Sequence, residues 1–90
     1  MAVLMIGEVP ALTAEMYNGM IEGLKPTLLA ADGFMAHAGG PSPQGGWRVV
    51  EMWDTEEEGQ AWFEENVRPN LPPGVVPQRT FYAVDAAFSK

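Results

Sequence analysis

Cysteine is missing from this sequence, histidine occurs once, and lysine and arginine together number five. Without cysteine there can be no disulfide, no thiolate metal site and no thiol nucleophile. That usage fits a reducing compartment, so a cytoplasmic protein is expected. One histidine without thiols is a poor start for a transition-metal site, and the glutamates at 56–58 lack the ligand spacing of a calcium loop. Five basic residues against twelve acidic ones give a net charge of −7. Phosphate backbones and anionic lipid surfaces repel such a chain, so neither nucleic acid nor membrane is expected as a partner. No apolar run approaches the roughly 20 residues of a membrane-spanning helix, and the initial "MAVLMIGEV" lacks the basic stretch of a signal peptide. The segment "GGPSPQGG" leads into a strand rather than a helix N-terminus, so it is no phosphate loop. Ser42 on a turn and Ser89 near the end offer no hydrolytic triad. No metal and no cofactor are expected.

What the chain has in quantity is apolar residues, 47% of its 90 positions, enough to exclude disorder. Residues 1–90 read as a single domain. "AVLMIGEV" over 2–9 is a short apolar run ended by Pro10, a strand buried on both faces. From Thr13 the period changes: Leu12, Met16, Met20 and Leu24 recur every four residues, which predicts an amphipathic helix with Thr13 as N-cap. Pro26 predicts a kink or an end, with a further short turn to Ala31 closed at Asp32–Gly33. Strands over Phe34–Gly39 and Trp47–Trp53 flank a Gly/Pro-rich turn, an antiparallel hairpin. A second helix starts at the capping box Thr55–Glu58 and stops near Arg68-Pro69. A last strand is predicted over Arg79–Phe88. The order βαββαβ is the ferredoxin-like α+β arrangement, a four-stranded antiparallel sheet with two helices on one face.

A sheet with helices on one face and water on the other alternates apolar and polar residues. These strands do not: Val3, Met5 and Val9 oppose Leu4 and Ile6, Trp47, Val49 and Trp53 oppose Val50 and Met52, and Phe81 and Ala83 oppose Tyr82 and Val84. Two helices cover one face only. A second copy is the simplest lid for the other, so a homodimer joined through its sheet faces is expected.

The stretch "GFMAHAGGPSPQGGWRVVEMWDTEEEGQAWFEENVRPNL", following one strand and one helix, resembles small bacterial members of the dimeric α+β barrel superfamily, the antibiotic biosynthesis monooxygenase-like proteins. The resemblance covers nearly the whole chain and implies fold and dimerisation most directly. The superfamily includes cofactor-free oxygenases of polycyclic phenols, polyketide cyclases, haem-degrading enzymes and stress-response proteins. The haem-degrading pattern resembles an Asn on the first strand and a His on the second helix. This chain has neither. The resemblance therefore implies a cofactor-free monooxygenase or cyclase acting on an aromatic or polyketide-like molecule in an apolar cavity. The alternative is a non-catalytic dimeric barrel that binds a small molecule or serves in a stress response.

His37, among Ala36, Ala38, Gly39 and Gly40, is the first candidate residue. A hairpin turning about Pro43 puts His37 opposite Val49, with Trp47 and Glu51 as diagonal neighbours. On one reading Glu51 orients His37, which acts as general base; on the other the histidine fills space and bonds to backbone. Glu51, between Val50 and Met52, reads as a buried carboxylate that either pairs with His37, Arg48 or Arg79 as a structural ion pair or acts itself as an acid or base. Trp47, Trp53, Trp62, Tyr17 and Tyr82 either wall a flat aromatic ligand or fill the core.

Overall fold

A computed structural model describes residues 2–90. The strands are β1 (Val3–Val9), β2 (Phe34–Pro41), β3 (Trp47–Trp53) and β4 (Gln78–Ala83), and the helices are α1 (Ala14–Leu29) and α2 (Glu56–Asn66). All neighbouring strands are antiparallel, in the order β2-β3-β1-β4. This is the ferredoxin-like α+β fold that the pattern predicts.

Local chemistry sets the helix boundaries. Thr13 Oγ1 accepts from the Met16 amide at 3.1 Å, and Thr55 Oγ1 accepts from the Glu58 amide at 3.2 Å. Both caps satisfy a donor that the first helical turn leaves over. Of the kink or end expected at Pro26 the end does not fall there: α1 runs three residues further to Leu29, two short of the expected Ala31. Pro26 sits on the exposed side, where the carbonyl deprived of its donor meets water. The Thr27 hydroxyl bonds back to the Leu24 carbonyl at 2.7 Å, and the Ala30 amide closes the helix on Pro26.

Two strand ends also depart from expectation. β2 continues to Pro41, because the turn is tighter than its composition implies. The Ser42 amide bonds to the Gly46 carbonyl and the Gly45 amide to Ser42, with Gly45 and Gly46 at φ of 94° and 72°. Only glycine adopts two such values in succession without strain. The hairpin therefore turns about Gln44 rather than Pro43, and Pro41 pairs with Trp47. β4 stops at Ala83, five residues short of the expected end. Its neighbour β1 begins at Val3, opposite Ala83, so later residues have no ladder to join beyond the single Val84 amide bond to Ala2.

The inner sheet face carries two successive rows. One row reads His37, Glu51, Met5, Phe81 across the four strands; the next reads Gly39, Val49, Gly7, Arg79. Under the helices the core divides in two. Leu28, Trp53, Trp62, Phe63 and Val67 form one cluster, and Val9, Leu12, Trp47 and Val75 the other. On the outer face Leu4, Ile6, Val50, Met52, Ala36, Ala38 and Tyr82 form an apolar field. No helix among the described residues is long and apolar enough to cross a membrane.

Candidate active site

Between the two core clusters lies a half-open cavity of about 80 Å³, bounded by the sheet and both helices. Its walls are almost wholly apolar, with Met5, Val9, Leu12, Met20, Leu24 and Phe63 among them. Four polar side chains interrupt them: Tyr17, His37, Glu51 and Arg79.

Three of these form a chain of hydrogen bonds. The corrected hairpin places His37 directly across from Glu51, instead of Val49, with a bulge between Phe34 and Ala36 completing the register. His37 Nδ1 lies 2.8 Å from Glu51 Oε2, and His37 Nε2 lies 2.6 Å from the Tyr17 hydroxyl. Trp53 Nε1 donates to the other Glu51 oxygen at 3.0 Å. An indole N–H can only donate, so the carboxylate accepts on that side. With Glu51 ionised it accepts again from His37 Nδ1–H, which leaves Nε2 as acceptor for the Tyr17 O–H. Proton affinity is thus directed from Tyr17 through His37 towards Glu51. Glu51 is only 2% exposed, and these two donors are what make its burial tolerable. It pairs with neither Arg48 nor Arg79; Arg48 instead bonds Glu8 on the outer face. Burial, reinforced by the Glu51 charge, pushes the Tyr17 phenol above its ordinary range, so at neutral pH it is a protonated donor.

Arg79 closes the far side. Its guanidinium stacks on Phe63 at 4.0 Å from the ring centroid, and Nη1 donates to Gln60 Oε1. Nη2 is buried with no acceptor among the described residues. Burial pulls this guanidinium below its ordinary range, opposed by the Glu51 and Glu64 charges.

The aromatic candidates separate. Tyr17 and Trp62 line the cavity, and the Trp62 indole N–H is satisfied by Thr27 Oγ1 at 3.0 Å. Trp53 is fully buried behind Glu51, edge-on to Phe34. Trp47 lies under the Tyr17 ring with centroids 5.0 Å apart, and its Nε1 also lacks an acceptor among the described residues. Tyr82 stands on the outer face, 50% exposed, away from the cavity. The roles of Arg79 in the wall and of Trp53 as donor to Glu51 are not apparent from composition. Alternation along β4 is the signal for the first, since Arg79 shares a face with Phe81. Among the described residues no three His, Asp or Glu side chains are grouped to hold a metal ion.

No family model matches the sequence, and no curated protein matches it. Solved structures do resemble it in shape. A candidate monooxygenase from Shewanella loihica PV-4 superposes with a TM-score of 0.62 at 16% identity, over 96% of each chain. A variant of SnoaB, a cofactor-independent oxygenase from Streptomyces nogalater, gives 0.66 at 8% identity, over 99% of this chain and 98% of that one. SnoaB itself gives 0.57 at 9% identity, over 99% and 96%. At such identities the likeness is one of fold, and the chain shares the ferredoxin-like α+β fold of these oxygenase-type proteins along nearly its whole length.

Proposed function

We propose that the chain is a cofactor-independent oxygenase whose cavity takes a compact hydroxylated aromatic molecule. The observation that carries this reading is the Tyr17–His37–Glu51 relay opening into an apolar cavity. A ligand hydroxyl donates to the Tyr17 oxygen while Tyr17 donates to His37 Nε2. Moving both protons one step leaves the ligand as its oxyanion and the imidazole doubly protonated against Glu51. Low polarity around the relay strengthens each of these interactions. The oxyanion is electron-rich enough to reduce dioxygen directly. For a naphthol-type substrate one O₂ is consumed, one of its oxygen atoms enters the ring to give a quinone, and the other leaves as water with the two displaced hydrogens. Electrons balance without a further reductant. At about 80 Å³ the cavity is small beside the roughly 300–1,000 Å³ of drug-sized pockets, which favours one or two rings over a larger polycycle.

The same reading includes a homodimer formed through the outer sheet faces. Its support is the apolar field of Leu4, Ile6, Val50 and Met52 where a solvent-facing sheet would be polar. A second copy matches it in kind, apolar centre to apolar centre. The Glu8–Arg48 ion pair stands at one end of the field.

Oxygen uptake by the purified protein with hydroxylated naphthalenes and anthrones is the test. Uptake with the two-ring compounds, abolished in His37→Ala and strongly reduced in Tyr17→Phe, is the expected result. An absence of uptake across the panel overturns the oxygenase reading and leaves a binding protein.

A further inference from the structure

Arg79 presents a problem that the relay does not solve. Among the described residues it is the only arginine or lysine lining the cavity, and several contacts hold it there. Phe63 stacks on one face of the guanidinium, Phe81 approaches at 5.2 Å, and the aliphatic stem passes over Gly7, where a Cβ would stand 3.7 Å from Arg79 Cγ. Its one hydrogen-bond partner, Gln60, is a neutral amide. Nη2 is buried with nothing to donate to among the described residues. A half-buried cation hydrogen-bonded to no carboxylate is unfavourable, with Glu51 and Glu64 acting on it only at a distance, and a guanidinium fixed by stacking is preorganised to receive a planar oxyanion.

Position in the sheet says where that anion would lie. Arg79 stands on β4 and His37 on β2, the two edge strands, separated by β1 and β3. Three strand spacings across the sheet and one row along it put their backbones about 16 Å apart. Side chains reach inward from both edges, and the floor between them is Gly7 and Val49. One end of the cavity takes a proton; the other offers a positive charge; the middle is apolar.

We propose that Arg79 is an anion subsite, receiving the carboxylate of an aromatic acid whose hydroxyl lies at the His37 end. This rests on the reading of the cavity as a ligand site, but not on turnover. A monoanion matches the single cation. A phosphate would bring a second negative charge towards Glu51 with no further lysine or arginine among the described residues of the wall.

Calorimetric titration with 6-hydroxy-2-naphthoate and 6-hydroxy-2-naphthamide tests it, since the pair has the same shape and differs at one end, where the amide lacks the charge and carries an NH2 in place of one oxygen. The acid is expected to bind at least tenfold more tightly than the amide. Arg79→Met should reduce that ratio to about one, and Arg79→Lys should retain part of it. If the Met variant fails to fold, Arg79→Gln, which keeps polarity and removes charge, takes its place. His37→Ala should leave the ratio intact, so a protein that prefers the acid but consumes no oxygen keeps the subsite and loses the oxygenase. Equal affinity for acid and amide, an unchanged ratio in the Arg79 variants, or no binding of either probe overturns the proposal.

Discussion

Gly39 and Tyr17 compete for one space: a Cβ at Gly39 would lie 2.6 Å from the Tyr17 hydroxyl oxygen and 3.0 Å from Trp47 Nε1. The bare backbone of β2 is what allows the Tyr17 ring to lie flat beside His37, with the two rings stacked within 8°. Gly39 has no positive φ, so replacing it acts through contact alone. Gly39→Ala is expected to push Tyr17 off His37 Nε2 and to lower stability by about 1–3 kcal/mol, the usual result of overpacking. Gly19→Ala, on the exposed side of α1 with open space around it, should instead stabilise by about 0.5–1 kcal/mol. Urea titration of the two variants checks the opposite signs, and oxygen uptake should fall in the first alone.

Glu51 has both structural and chemical consequences that two substitutions separate. Glu51→Leu leaves Trp53 Nε1 and His37 Nδ1 buried without an acceptor, and a loss of about 3–5 kcal/mol is expected. Glu51→Gln keeps an acceptor for Trp53 and should fold much better. Its amide, however, can donate to Nδ1 and so reverse the tautomer of His37, leaving Nε2 unable to take a proton. A folded Gln variant with uptake reduced by roughly 10²–10⁴ is the expected outcome; a folded variant with undiminished rate would remove Glu51 from the relay.

The strands, both helix caps and the unalternating faces were legible because each rests on local chemistry: Thr13 and Thr55 as caps, Pro10 as terminator, the period change at Leu12. The pairing of His37 was not. It depends on whether the turn is centred at Pro43 or Gln44, which is decided by successive left-handed conformations at Gly45 and Gly46 and by the bulge near Phe34. A shift of one residue in the turn centre moves the partner by two, here from Val49 to Glu51 on the same face. From the sequence Arg79 was only a candidate partner for Glu51; its lack of an acceptor depends on Gln60 from α2 reaching one nitrogen and not the other. The expected length of β4 failed for a non-local reason too, the starting point of β1.

Tyr17 gives the protein an alkaline weakness. Its phenol is held above the ordinary value of about 10 by burial first and by Glu51 second. In the unfolded chain the proton leaves near that ordinary value, while the folded chain still holds it. The unfolded state then binds fewer protons, so stability falls as pH rises. The contribution is whole below the unfolded value and is lost as pH passes through the folded one. Urea midpoints measured from pH 8 to 11.5 should decline along this limb, and Tyr17→Phe should flatten it. The same variant should lose about 1 kcal/mol at neutral pH through its missing hydrogen bond to His37.

The outer face offers a test independent of the cavity. Val50 lies at its centre, paired with Ile6 on one side and Ala38 on the other. A glutamate there points away from the helices, so the inner core is untouched and the protomer should still fold. In a face-to-face dimer, however, the two-fold axis brings the same position from each copy close together. Val50→Glu would bury two like charges there without partners, a penalty of several kcal/mol. Light scattering should find the unaltered chain at twice its monomer mass and the variant at the monomer mass, with helical content retained. A monomeric unaltered chain at micromolar concentration would instead leave Leu4, Ile6, Val50 and Met52 facing water and overturn the dimer.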